Sequence, residues 1–237
     1  MIDFTGQHIL VIGGSSGIGF ATAKLAVQLG AEATIASRSL EKIRTATGAI
    51  GAGAVGRAID LTDDKSVADF FSGGTVWDHV VVTGSQVKIA AVRDLPIETA
   101  RQAFESKFWG FYRVARAAQI KPNGSLSVVA GFLATRPAAG RALMGAINGA
   151  LESLVQGLAL ELKPVRVNAV SPAAVDTEMW HGMPEEARRA MFEKVQSTYP
   201  AGCIGQPEDI ARQLLLMAGT SYATGTIVTL DGGASIA

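Results

Sequence analysis

The sequence predicts a single-domain α/β fold: a parallel sheet covered by helices on both faces. Three observations carry that prediction. Short runs rich in Val and Ile alternate with longer segments of helical period along all 237 residues. A glycine turn, Gly13-Gly14-Ser15-Ser16-Gly17-Ile18-Gly19, joins the first apolar run to the first helical one. No Pro-, Gly- or Ser-rich linker divides the chain.

Taken in order, strands are expected at His8–Ile12, Ala33–Ala36, Ala54–Ile59, His79–Val82, Ser125–Val129, Arg166–Ala169 and Thr226–Leu230. Continuous apolar character marks them as buried on both sides. Helices are expected at Ile18–Leu29, Leu40–Ala49, Asp63–Phe71, Thr99–Gln119, Gly145–Leu162 and Glu208–Ala218, from apolar residues three and four apart. Ser171–Pro200 is the long irregular stretch, with a short helix expected at Pro184–Lys194. Excursions of this kind in compact α/β domains serve as lids or substrate loops.

Composition narrows the function. With 48% hydrophobic and 18% charged residues the chain is a compact globular protein. Its net charge is zero, and no basic strip with interleaved aromatics appears, so nucleic acid is not an expected partner. No run approaches eighteen uninterrupted apolar residues, and the N-terminus shows no export signal; no membrane partner and a cytoplasmic location are the expectations. The single cysteine, Cys203, excludes an internal disulfide and reads as a small packed or loop residue. None of the three histidines has a ligand-type neighbour at helical spacing, so no metal is expected. His8 and His79 read as structural, and His181 lies in the lid-like segment.

The glycine turn carries the first functional reading. Gly13, Ser15, Ser16, Gly17, Ile18 and Gly19 place backbone N–H groups and a helix N-terminus where a pyrophosphate binds. Ser37-Arg38 follows the second strand, where a ribose would lie; Arg there suits a 2′-phosphate and favours NADP(H) over NAD. Asp60-Leu61 closes the third strand, where a carboxylate and a backbone N–H can meet the adenine edge.

With these residues the chain resembles the short-chain dehydrogenase/reductase family. Val165-Arg166-Val167-Asn168-Ala169-Val170-Ser171-Pro172, Gly205-Gln206-Pro207-Glu208-Asp209-Ile210-Ala211, Thr224-Gly225 and Asp231-Gly232-Gly233 add to the likeness. The resemblance implies a doubly wound, Rossmann-like parallel sheet of seven strands, with NADP(H) across the strand ends. It implies that Thr83 and Gly84 border the cofactor and that Pro172, Val175 and Thr177 approach the carboxamide of its nicotinamide. It also implies a homo-dimer or homo-tetramer.

The resemblance further implies a Ser, Tyr, Lys and Asn that carry the chemistry, and none stands in its place. Met144 falls at the Tyr position, Asn148 at the Lys, Gly131 at the Ser and Lys107 at the Asn. Tyr112, Tyr199 and Tyr222 are the only tyrosines. Lys107 is the candidate proton donor, because a buried lysine loses pKa by desolvation. Arg136 and Arg141, in the loop before the Met144 helix, are candidate clamps for a carboxylate or phosphate. Ser85 and Lys88, after the fourth strand, are further polar candidates. Two functions stay open: an NADP(H)-dependent oxidoreductase acting without the Tyr/Lys pair, or a non-catalytic NADP(H)-binding sensor.

Overall fold

The computed structural model describes residues 2–84 and 89–237. Seven parallel strands form one sheet in the order β3-β2-β1-β4-β5-β6-β7. They are β1 (His8–Ile12), β2 (Glu32–Ser37), β3 (Ala54–Ala58), β4 (Val76–Val82), β5 (Gln119–Val129), β6 (Arg166–Pro172) and β7 (Ile227–Leu230). The order reverses between β1 and β4. At such a switch point the connections leave in opposite directions and open a crevice beyond the carboxyl ends of the strands.

Period-two alternation splits the interior into two cores. Leu10 and Ile12 face one side, with Trp77, Phe111, Leu126, Leu151 and Val155. Ile9 and Val11 face the other, with Phe4, Ile35, Ile210 and Leu214. Burial on both faces requires strands apolar at consecutive positions, and β6 is buried at every residue. Helices α1 (Gly17–Gln28), α2 (Leu40–Ile50) and α3 (Asp64–Phe71) follow the first three strands. Asp63 caps α3, its carboxylate accepting from the N–H groups of Lys65 and Ser66.

The segment expected as one helix over Thr99–Gln119 is broken into three. A helix α4 (Ile97–Phe104) runs into a π-helical turn at Glu105–Trp109, then α5 (Gly110–Ala117). Gln119 is not helical: β5 begins there, six residues ahead of expectation, because Gln119 and Ile120 pair with Val76 and Trp77. Lys121-Pro122-Asn123-Gly124 hides the strand in the sequence, and the ladder accommodates it with a register irregularity between Trp77 and His79. Beyond β5 come α6 (Ala142–Glu161), α7 (Glu185–Thr198) and α8 (Pro207–Gly219). The expected irregular stretch is thus largely helical, α7 running four residues past the predicted Lys194.

Helix α6 is long and apolar enough to cross a membrane by length and composition alone. Here Ile147, Leu151, Val155 and Leu158 are buried in the first core. Arg166 was expected only as a strand residue. Its buried guanidinium donates to the carbonyl oxygens of Met217, Ala218 and Ala223, closing the C-terminal end of α8 with a cation.

His79 is structural. It is 5% exposed and hydrogen-bonded through its ring nitrogens to Ser125 Oγ (2.8 Å) and Gln7 Oε1 (2.9 Å). Burial, aided by the charge of Arg166, lowers its pKa to about 4 from 6.5. The unfolded chain therefore binds the extra proton between those values. The stability this neutral ring contributes is fully present above pH 6.5 and disappears as pH falls toward 4. The loss is at most about 3 kcal/mol. Urea midpoints followed from pH 7 to pH 4.5 should fall less steeply for His79→Gln than for the parent; parallel curves would contradict this assignment. His8 instead lies 3.0 Å from Glu32 at the sheet's amino end.

Candidate active site

A cleft of about 740 Å³ opens along the carboxyl ends of the strands. Ser15, Ser16, Gly17 and Ile18 line its middle, and Ser37, Arg38, Asp60 and Leu61 one end. Thr83, Gly84, Pro172, Val175 and Thr177 line the other part together with Gly13.

Backbone proximity dictates the glycines. Gly13 has φ +85°, and a Cβ there would lie 2.3 Å from the amide nitrogen of Gly84. At Gly19 a Cβ would meet the carbonyl oxygen of Gly13 at 2.2 Å. Gly19 does not border the cleft; it lets α1 pack against the turn that does. Ser16 precedes α1 without a side-chain bond to the helix amides, which leaves the helix N-terminus to a ligand.

At the adenosine end, the Ser37 hydroxyl is buried without a hydrogen-bond partner among the described residues. A buried unpaired hydroxyl costs free energy unless a ligand completes it. Asp60 Oδ1 accepts from both the N–H and the hydroxyl of Thr62. Burial raises the Asp60 pKa, but these bonds and the nearby Arg38 charge outweigh it and keep the carboxyl below its ordinary range. Lys42 also lines this end. It lies in the first turn of α2 and adds a second positive charge to that of Arg38.

At the opposite end Lys107 leaves the π-helical turn and reaches under β5. Its ammonium donates to the carbonyl oxygen of Ala130 (2.9 Å) and to Asn148 Oδ1 (2.7 Å). Burial lowers the Lys107 pKa to about 8, against a smaller upward pull from Glu152. Because a lysine only donates, Asn148 must turn Oδ1 toward it and aim Nδ2 the other way. There it meets Gly131: a Cβ at that position would lie 2.6 Å from Asn148 Nδ2. Behind this pair, Gly131 N donates to Ser171 Oγ (3.1 Å), whose hydroxyl donates to Glu152 (2.6 Å). Met144 lines the same end of the cleft.

The remaining sequence candidates scatter. Arg136 lies outside the cleft, donating to the carbonyl oxygens of Ser235 and Ala237. His181 is exposed and outside it as well. Tyr112 stacks edge-on against Trp109, 5.7 Å between centroids, and Tyr222 is in solvent. Arg141 and Tyr199 do line the cleft, and Tyr199 had not been expected there. Ser85 and Lys88 lie outside the described residues. Cys203 is exposed, and no group of three or more His, Cys, Asp or Glu among the described residues is placed to hold a metal.

The lid-like segment is rooted at the motif Gly205-Gln206-Pro207. Val175 and Gly205 form a parallel bridge, and Trp180 Nε1 donates to Val175 O (2.7 Å). Asp209 closes α8 by accepting from Gln206 N (2.9 Å).

Comparison with known proteins places this architecture. The pattern of the family described as enoyl-(acyl carrier protein) reductase matches residues 12–235. The short-chain dehydrogenase/reductase ATR9 of Stachybotrys chlorohalonatus is 33% identical over 99% of both chains. A small-chain dehydrogenase solved in complex with NADPH is 33% identical, covers 98% of this chain and 99% of its own, and superposes with TM-score 0.82. A short-chain oxidoreductase of Pseudomonas aeruginosa, described as containing an atypical catalytic center, is 25% identical over 99% of both chains with TM-score 0.90. The chain belongs to the short-chain dehydrogenase/reductase family of oxidoreductases.

Proposed function

We propose that this protein is an NADP(H)-dependent oxidoreductase in which Lys107, held by Asn148, supplies the proton that the family draws from a tyrosine. The single observation that carries this reading is the half-buried Lys107 ammonium, bonded to Ala130 O and Asn148 Oδ1 at the end of the cleft.

The cofactor fits the residues present. Arg38 and Lys42 suit a 2′-phosphate, the orphan Ser37 hydroxyl awaits a partner, and the uncapped start of α1 suits a pyrophosphate. NADPH, when bound, supplies the hydride. Arg38→Asp is expected to weaken NADPH binding at least tenfold and leave NADH binding within a few-fold. Equal losses for both, read by fluorescence titration, would remove Arg38 from the site.

By the family resemblance, Lys107 stands at the Asn position and Asn148 at the Lys position. The two side chains have exchanged places while keeping contact with each other. Gly131, at the Ser position, makes room for the Asn148 amide, whose Nδ2 can donate to an acceptor oxygen. Lys107 has three N–H donors and spends two on protein oxygens; the third is available to the acceptor or to a bridging water. With a pKa near 8 it is protonated at neutral pH and gives up its proton more readily than an ordinary lysine. Met144 takes no part in proton transfer. A polarised acceptor such as an imine, iminium or enone suits a site without a phenol.

The test is NADPH oxidation against a panel of imines, enones and carbonyls. Turnover of at least one class is expected. The sensor reading is favoured by Met144 at the Tyr position. It requires clearly different affinities for NADPH and NADP⁺ with no cofactor oxidised by any acceptor.

A further inference from the structure

The acceptor end of the cleft holds a cation with no ion-pair partner among the described residues. Arg141 precedes α6, its backbone pinned on both sides: its N–H donates to Ala138 O (3.1 Å), and its carbonyl accepts from Gly145 N (3.0 Å). The side chain is half-buried and lines the cleft, as do Phe132, Met144 and Met191. Several other arginines are paired. Arg101, Arg113 and Arg212 face carboxylates, while Arg57, Arg136 and Arg166 donate to backbone carbonyls. Arg141 has no such partner among the described residues.

Two acids of this region, Asp231 and Glu178, make no ion pair with Arg141 and have contacts of their own. Asp231 accepts from the N–H groups of Gly233 (2.9 Å) and Ser235 (2.8 Å). The Glu178 carboxylate lies against Gly17, at the glycine turn. Tyr199 is a polar neighbour: burial raises its pKa, a backbone hydrogen bond from Ala174 lowers it, and the charges of Asp231 and Arg141 act in opposite directions, Arg141 downward. A half-buried guanidinium facing a cleft, without an ion-pair partner among the described residues, offers its donors to an anion.

We propose that the hydride acceptor carries a carboxylate, received by the forked donors of Arg141 and by the Tyr199 hydroxyl. This rests on the catalytic reading of Lys107 for its orientation. The carboxylate sits at the mouth, an apolar body spans the wall of Phe132, Met144 and Met191, and the reducible atom points to Lys107. Planar, bidentate recognition is what distinguishes Arg from Lys at such a site.

The test measures binding rather than turnover, so it does not depend on hydride transfer. Cinnamate and 2-hexenoate are titrated calorimetrically into the NADP⁺-saturated protein, beside cinnamamide and 2-hexenamide of matching shape. At least one acid should bind about 30-fold more tightly than its amide, the difference expected of charge-assisted bonds. Arg141→Gln should abolish that preference, and Arg136→Gln, outside the cleft, should retain it. Acids and amides binding alike, neither member of either pair binding, or a preference that survives in Arg141→Gln would each overturn the proposal. A protein that binds acids through Arg141 but oxidises no NADPH loses the catalytic reading alone. One that turns over neutral acceptors and ignores carboxylates loses this inference alone.

Discussion

Lys107→Met is expected to lower turnover by about 10²–10⁴-fold while leaving NADPH affinity within a few-fold, since removal of a positioned proton donor acts on the chemical step. The lysine touches Ala130 O and Asn148 Oδ1 rather than the residues of the adenosine end or the glycine turn. The loss should therefore appear in kcat and not in cofactor binding. Stability separates this from simple misfolding. The Lys107 pKa falls from 10.5 to about 8 on folding, so the unfolded chain binds more protons across that window. The penalty for the buried charge is fully present below pH 8 and lifts as pH rises toward 10.5. Methionine removes that penalty and also leaves two oxygens without their donor, two effects of opposite sign. The variant is thus expected to fold and bind cofactor, which stopped-flow and thermal melts check together. Asn148→Ala should reduce turnover too, because it releases the ammonium from its position.

Gly19→Ala produces the other large effect, of a different kind. The new methyl would sit 2.2 Å from Gly13 O and 2.5 Å from Thr83 Oγ1, and neither the turn backbone nor the start of α1 can retreat without disturbing the end of β1, which is paired on both sides. About 3 kcal/mol of destabilisation is expected, visible by denaturant titration in the absence of any cofactor. NADPH binding should fall with it, since the same shift displaces Ser15, Ser16 and the helix amides. A stable Gly19→Ala protein that lost only NADPH would mean that the glycine meets the ligand directly.

Gly19 also shows where reading the chain reaches its end. The spacing of Gly13, Gly17 and Gly19 identifies the strand–turn–helix, and runs such as Ile9–Ile12 and Val80–Val82 identify buried parallel strands, because both patterns are local. What each glycine touches is not local: Gly19 packs on a residue six positions back and on Thr83. The early start of β5 was hidden for the same reason, since pairing with Val76 and Trp77 overrides a stretch holding Pro122 and Gly124. In the site, Lys107 stood out as a lysine where the family resemblance calls for Asn. Its partner Asn148 lies 41 residues away, and only folding reveals that each satisfies the other. Arg136 and Arg141 are equivalent in sequence, five residues apart in one loop. The structure sends the first to Ser235 and Ala237 and the second into the cleft. Tyr199 closes α7 at its C-terminal end, a helix longer than its sequence pattern indicated, and so arrives at a wall it had not been assigned to.

The pH dependence of single-turnover NADPH oxidation tests the assignment of Lys107 most directly. With the ammonium as proton donor, the rate holds on the acid side and falls tenfold per unit above a pKa near 8, and this limb vanishes in Lys107→Met. A parent enzyme whose rate stays flat from pH 7 to pH 10, or a variant that retains the limb, would contradict it.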